Sequence, residues 1–142
     1  MQTVGQLLER KGNDIYSVSP DNTMFQAITE MAERGVGALL VMEGERMVGV
    51  ISERDYARKV VLKGRASKET PVRDVMTATV ISTDEQATVD RCMRLMTDHR
   101  IRHLPVLRGD QVVGMLSIGD LVKAIISDQQ FQIEQLSNYI AG

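Results

Sequence analysis

Shifted by 65 positions, the chain matches itself without a gap: residues 17–63 lie over residues 82–128, and ten of the 47 pairs are identical. Unrelated chains of ordinary composition would give roughly three. The identical pairs are Ser17/Ser82, Thr23/Thr88, Met31/Met96, Leu39/Leu104, Val41/Val106, Gly44/Gly109, Val48/Val113, Gly49/Gly114, Ser52/Ser117 and Asp55/Asp120. The chain is one unit written twice, and any fold assigned to it must be a double one.

Both copies carry the same signals in the same order. Ile15 to Val18 reads as a short strand, and Ser19 to Asn22 supply turn and cap chemistry before a helical period of Met24, Ile28, Met31 and Ala32. Gly35 and Gly37 end that helix. Apolar runs at Ala38–Met42 and Met47–Ile51, separated by Glu43-Gly44-Glu45-Arg46, predict a hairpin, and a second helix follows from Glu53 to about Leu62. The second copy predicts a strand at Val80–Ser82, a helix over Thr88–Asp98, strands at Leu104–Leu107 and Val112–Leu116, and a helix starting near Ile118. The fold class is therefore α+β, two β-α-β-β-α repeats.

Neither repeat, at about 50 residues, buries enough apolar surface to be comfortably stable alone, so the two are expected to pack on each other. The expected boundaries are residues 1–62 for the first repeat with an N-terminal turn (Val4, Leu7, Leu8), 63–71 for a polar linker, and 72–127 for the second repeat. Residues 128–142 form a C-terminal extension. Val72–Met76 is read as one helical turn opening the second half.

Composition narrows the function classes. With 17 Lys plus Arg against 19 Asp plus Glu, the chain lacks the basic field that holds a polyanion, which argues against nucleic-acid binding. No apolar run reaches the roughly 18 to 20 residues of a membrane span. Cys92 is the single cysteine, so there is no intrachain disulfide or Cys-rich zinc site, and a reducing, cytoplasmic location is expected. His99 and His103 have no third ligand at metal spacing, no Walker A or G-x-G-x-x-G run is present, and no nucleophile has its base. The chain reads as a non-enzyme, without metal or catalytic cofactor.

The sharpest shared motif is Gly49-Val50-Ile51-Ser52-Glu53-Arg54-Asp55, repeated as Gly114-Met115-Leu116-Ser117-Ile118-Gly119-Asp120. In each, a strand ends at a serine and a helix begins with an aspartate three residues on. One reading is a helix cap, with the serine accepting from the N3 amide and the carboxylate favoured by the helix dipole. The other is a ligand site in which hydroxyl and helix-start amides meet an anion while the carboxylate accepts from a vicinal diol, as a ribose phosphate requires. On the second reading, loss of either aspartate affects binding and barely affects folding. Arg102 and His103 precede the first hairpin strand of the second repeat, and Gly37 and Ala38 hold the equivalent places in the first. Phosphate is expected at the cationic end.

These residues make the sequence similar to the cystathionine β-synthase (CBS) domain family, and to a tandem pair, or Bateman module, of the small stand-alone bacterial type. The resemblance spans residues 3 to about 127. It rests on the two G-h-h-S-x-x-D copies, on Met76, Thr77 and Val80, and on Arg102-His103-Leu104-Pro105-Val106. It implies two repeats packed through their sheets with pseudo-twofold symmetry and two clefts for adenosine ligands such as AMP, ATP, S-adenosylmethionine or NAD(H). By resemblance, Asp55 and Asp120 hold ribose, Ser52 and Ser117 lie near phosphate, and Arg102 and His103 meet phosphate. Tyr16, Ser17 and Val18, with Val80, Ile81 and Ser82, lie against adenine. Arg54, Thr77, Gly37, Ala38, Leu104 and Pro105 complete the candidate set.

The expected function is thus a regulatory adenine-nucleotide sensor that signals to a downstream protein through a change of conformation or partner. The alternative is a purely structural dimerisation module whose Ser-x-x-Asp motifs only cap helices. Beyond the repeat, Ile133, Leu136 and Ile140 extend an apolar stripe begun by Ile118, Val122, Ile125 and Ile126, so the last helix is expected to run on. That stripe either packs on the N-terminal turn or pairs with a second copy. A homodimer meeting through helices that include 53–62 and the C-terminal one is expected.

Overall fold

The two halves of the chain fold alike because each meets the same local signals in the same order. In the computed structural model, which describes residues 2–141, that order begins with α1 (Val4–Lys11), β1 (Ser17–Val18), α2 (Met24–Arg34), β2 (Ala38–Glu43), β3 (Arg46–Ser52) and α3 (Glu53–Asp55). It continues with β4 (Thr83–Asp84), α4 (Val89–His99), β5 (His103–Arg108), β6 (Gln111–Ser117) and α5 (Ile118–Ala141). Thr23 opens α2, its hydroxyl accepting from the Gln26 amide while the Gln26 side chain accepts from the Thr23 amide; Thr88 opens α4 by accepting from the Arg91 amide. Gly44 and Gly109 take φ of 62° and 63° at the hairpin tips, where a side chain would be strained.

Two three-stranded sheets result, β1-β2-β3 and β4-β5-β6. The first strand of each runs parallel to its neighbour, with Val18 opposite Val41 and Thr83 opposite Val106, equivalent pairs under the 65-residue offset. The α+β class is as read from sequence. Two elements differ. The strand expected at Val80–Ser82 forms instead at Thr83–Asp84, because pairing begins where the chain meets Val106. It ends where the Asp84 side chain accepts from the Gln86 and Ala87 amides. The helix expected over 53–62 is α-helical for one turn and then widens to a π-helix over Tyr56–Val61, with the Leu62 amide donating to the Ala57 carbonyl.

The larger correction concerns the opening segments. The N-terminal turn was expected to serve the first repeat and Val72–Met76 the second; the structure exchanges them. One unit joins the chain up to Asn13 with Ser82–Arg108 and the residues from Val113 onward, and the other holds Asp14–Ile81 with Gly109–Val112. In the first of these, the Val4 and Gly5 amides donate to the Ala87 and Glu85 carbonyls and Val89 donates to Gln2. In the other, the Val72 amide donates to Asn22 and Arg73 donates to Pro20, while Met24 donates to Thr70. Asn22 and Ala87 are the same position of the repeat, so each repeat receives its opening segment at one equivalent carbonyl. Residues 70–73, read as the end of a linker and the start of the second half, are thereby stitched to the first repeat.

Burial explains why the segments stay docked. Val72 and Val75 join Met24, Ala27, Met31, Leu39, Val41, Ile51 and Val60 in one buried cluster, each burial contributing about 1.5–3 kcal/mol. In the other unit Val4, Leu7 and Leu8 are buried likewise. The repeated glycines make room for this: a Cβ on Gly49 would lie 2.9 Å from the Thr77 carbonyl oxygen and 2.7 Å from Met76 Sδ, and one on Gly114 would lie 2.9 Å from Leu8 Cδ2. Gly49→Ala is expected to cost about 1–3 kcal/mol, and Gly114→Ala less because a flexible Leu side chain can yield where a carbonyl cannot. Urea unfolding measures both; equal costs, or none, would contradict the docking described.

Candidate functional site

The strand-to-helix joint that ends β3 is closed by its own motif. The Asp55 amide donates to Ser52 Oγ at 3.2 Å, and Asp55 Oδ2 accepts from the Ser52 amide and hydroxyl at 3.0 Å each. The Glu53 amide donates to the Gly37 carbonyl at 3.0 Å, tying the start of β2 to the start of the helix, and Ala38 pairs with Ser52 across the sheet. Lys59, one helical turn beyond, places its ammonium 3.1 Å from Asp55 Oδ1.

The second joint repeats this geometry. The Ser117 amide donates to Asp120 Oδ2 at 2.8 Å, and the Asp120 amide donates to Ser117 Oγ at 3.1 Å. The Ile118 amide donates to the Arg102 carbonyl at 2.9 Å, matching the Glu53–Gly37 bond position for position. Arg102, exposed, and His103, half-buried, therefore border the helix start that Ser117 caps. The cation on Asp120 has another source: Lys11 Nζ lies 3.2 Å from Oδ2, from the last turn of α1.

Capping and ligand binding, set against each other in the sequence, are compatible here. Both carboxylates act as N3 caps, and an ionised carboxylate offers about four lone-pair sites, of which these contacts use some. One expectation changes with this geometry: removing either aspartate also removes half of a capping box, so a cost to folding is expected beside any effect on binding.

The other candidate residues are placed as follows. Ser17, Leu40, Val50 and Thr77 form one row across the sheet of the first repeat, Thr77 exchanging amide and carbonyl bonds with Val50. Thr77 thus lies beside the strand that leads to Ser52. Tyr16 and Val18 belong to the opposite edge, with the Tyr16 carbonyl accepting from Leu40 and the Arg34 guanidinium 4.9 Å from the Tyr16 ring centroid. Arg54 is half-buried in the first turn of its helix. Val80 and Ile81 are half-buried in irregular chain, as is Ser82 just before β4; Leu104 and Pro105 are buried in β5. The sequence reading omitted Lys59 and Lys11. Lys59 was legible as an i,i+4 partner of Asp55, whereas Lys11 is 109 positions from Asp120 and left no local signal.

Charge at the second joint is weighted by burial. Desolvation pushes the His103 imidazole below its ordinary value, Asp120 opposes this, and Arg102 adds to it. Burial thus favours the neutral imidazole, and the cation that the structure sets against Asp120 is Lys11. Among the described residues no cluster of His, Cys, Asp or Glu suits a metal ion, and no helix is long and apolar enough to cross a membrane.

With two such joints in view, comparison with known proteins assigns the family. The model of the CBS domain matches residues 4–62 and again 72–127, and the chain belongs to the CBS-domain family. Proteins of this family are regulatory. The mitochondrial CBS domain-containing protein CBSX3 of Arabidopsis thaliana is 38% identical, over 99% of this chain and 72% of that protein. Among solved structures, a protein with CBS domains from Burkholderia ambifaria superposes with a TM-score of 0.87 at 50% identity, covering 90% of this chain and 96% of that one. The CBS domain protein PAE2072 of Pyrobaculum aerophilum, solved in complex with AMP, gives 0.74 at 27% identity, covering 83% and 88%.

The depressed His103 pKa has a signed consequence. As pH falls below about 6.5, the unfolded chain takes up the imidazole proton before the folded chain does, so stability declines until pH reaches the lower, folded value. His103→Gln is expected to flatten this slope, by at most about 1.4 kcal/mol per pH unit. Urea midpoints at a series of pH values from about 7.5 to 5 check it; an unchanged slope in the variant would contradict the assignment.

Proposed function

We propose that the chain is a non-catalytic regulatory module that senses an adenine nucleotide of the AMP, ATP or NAD(H) type. Ribose hydroxyls donate to Asp55 or Asp120, and phosphate lies toward Arg102 and His103 at the second joint. The observation that carries this reading is the doubled joint, in which a serine, a diol-competent carboxylate and a cation recur. The AMP bound by the Pyrobaculum aerophilum relative supports it. The first joint, with Gly37 and Ala38 where the second has Arg102 and His103, is the weaker phosphate site. Bound ligand changes conformation or partner choice in a downstream protein, and two copies of the chain act together as a homodimer. The cytoplasm is the proposed location, supported by a single cysteine buried inside the fold.

The fulfilled capping boxes favour one competing reading, a purely structural dimerisation module. Calorimetric titration separates the two. Asp55→Asn and Asp120→Asn keep a capping oxygen while losing the charge, and each is expected to weaken AMP binding at its own joint by about 1–3 kcal/mol. Arg102→Ala should weaken AMP and leave adenosine nearly unchanged. The structural module would instead give no binding and no thermal shift with millimolar AMP, ATP, NAD or S-adenosylmethionine, where a real ligand at a hundredfold excess over Kd adds about 2.7 kcal/mol.

A further inference from the structure

The last helix carries a periodicity of its own. Outward side chains recur at Val122, Ile126, Gln129, Ile133, Leu136 and Ile140, in alternating steps of four and three. This is a heptad seam, with Ile126, Ile133 and Ile140 at a and Val122, Gln129 and Leu136 at d. Positions c and f, on the far side of the helix, hold Leu121, Ala124, Asp128 and Phe131. Leu121 and Ala124 are buried in the unit, and Asp128 and Phe131 line a groove shared with Gln6, Glu9 and Arg10 of α1. The c/f side therefore faces the unit at Leu121 and Ala124 and borders the α1 groove at Asp128 and Phe131, the latter still 61% exposed, and the exposed stripe does not pack on the N-terminal helix. The seam points away, with Ile133, Leu136 and Ile140 exposed by 63%, 60% and 76%.

Residue choice identifies what covers it. β-Branched isoleucine at all three a positions, with leucine at one d position and a polar residue at another, favours a parallel two-stranded coil. Of the flanking e and g positions, Ile125, Gln130, Gln132, Ser137 and Tyr139 are uncharged and Lys123 carries the one charge, so no pattern of charges selects a foreign helix of opposite sign. Gln129 decides orientation. In a parallel pair it meets its own twin, and two amides satisfy each other; in an antiparallel pair over the same seam it would meet Ile133 and be buried without a partner.

We propose that residues 122–140 form a parallel two-stranded coiled coil with the same residues of a second copy, Gln129 facing Gln129. This rests on the pairing of two copies proposed above and is independent of the nucleotide. Light scattering on the full chain should give twice 15.8 kDa. Ile133→Glu and Leu136→Glu, at positions exposed in the protomer, should each weaken association at least about tenfold without changing the circular dichroism of the repeats. Leu136→Cys should oxidise to a covalent dimer, and Gln135→Cys, at c, should not; the wild type with buried Cys92 is the control. A dimer indifferent to both glutamates would overturn the seam and leave pairing through another face. Dissociation by the glutamates without a Leu136→Cys crosslink, or a larger assembly, would overturn the parallel pair. A wild type that is monomeric at about 100 μM would overturn both seam and pairing, whereas AMP titration of the same sample tests the nucleotide reading separately.

Discussion

Everything else in the molecule hangs on the hydrogen bonds that turn each strand into the following helix. A buried strand must release its chain into a helix whose first amides lack partners. Serine and aspartate three residues apart satisfy two of these groups, and a carbonyl from the residue before the neighbouring strand, Gly37 or Arg102, satisfies the next. Sheet, helix and hairpin start are thus locked at one point. A carboxylate needed there for stability is already fixed in direction, so it can receive a diol without further ordering.

Duplication preserved that joint and let its surroundings diverge. The cation on the carboxylate comes from the same helix in the first repeat, through Lys59, and from α1 in the second, through Lys11. The helix after the first joint widens into a π turn, and the one after the second stays regular for 24 residues. Arg100 takes φ of 55° where the first repeat has Gly35 at 66°, a backbone state that an arginine holds only at some cost. Such differences give two joints of like geometry unequal surroundings.

Much of this was legible because it is local. The hairpin around Gly44, the ends of α2 and α4, and the serine-to-aspartate spacing are each written within a few residues of where they act. The exchange of opening segments was not, since Val4–Leu8 and Val72–Met76 are both short, apolar and followed by connections of similar length. The backbone bonds to Ala87 and Asn22, and the packing against Gly114 and Gly49, show which repeat each one serves. Lys11 was hidden for the same reason. The π turn at Tyr56–Val61 has no sequence signature of its own, and β4 formed slightly later than read because its pairing depends on β5 rather than on its own residues.

Amide chemical shifts during a titration with AMP test the central claim most directly. If the joints are the nucleotide sites, saturable shifts will concentrate at Ser117 to Asp120 and at Arg102 and His103, with a weaker set at Ser52 to Asp55. Spectra that do not change, or that change only in the groove between α1 and α5 around Gln6 and Phe131, would contradict it.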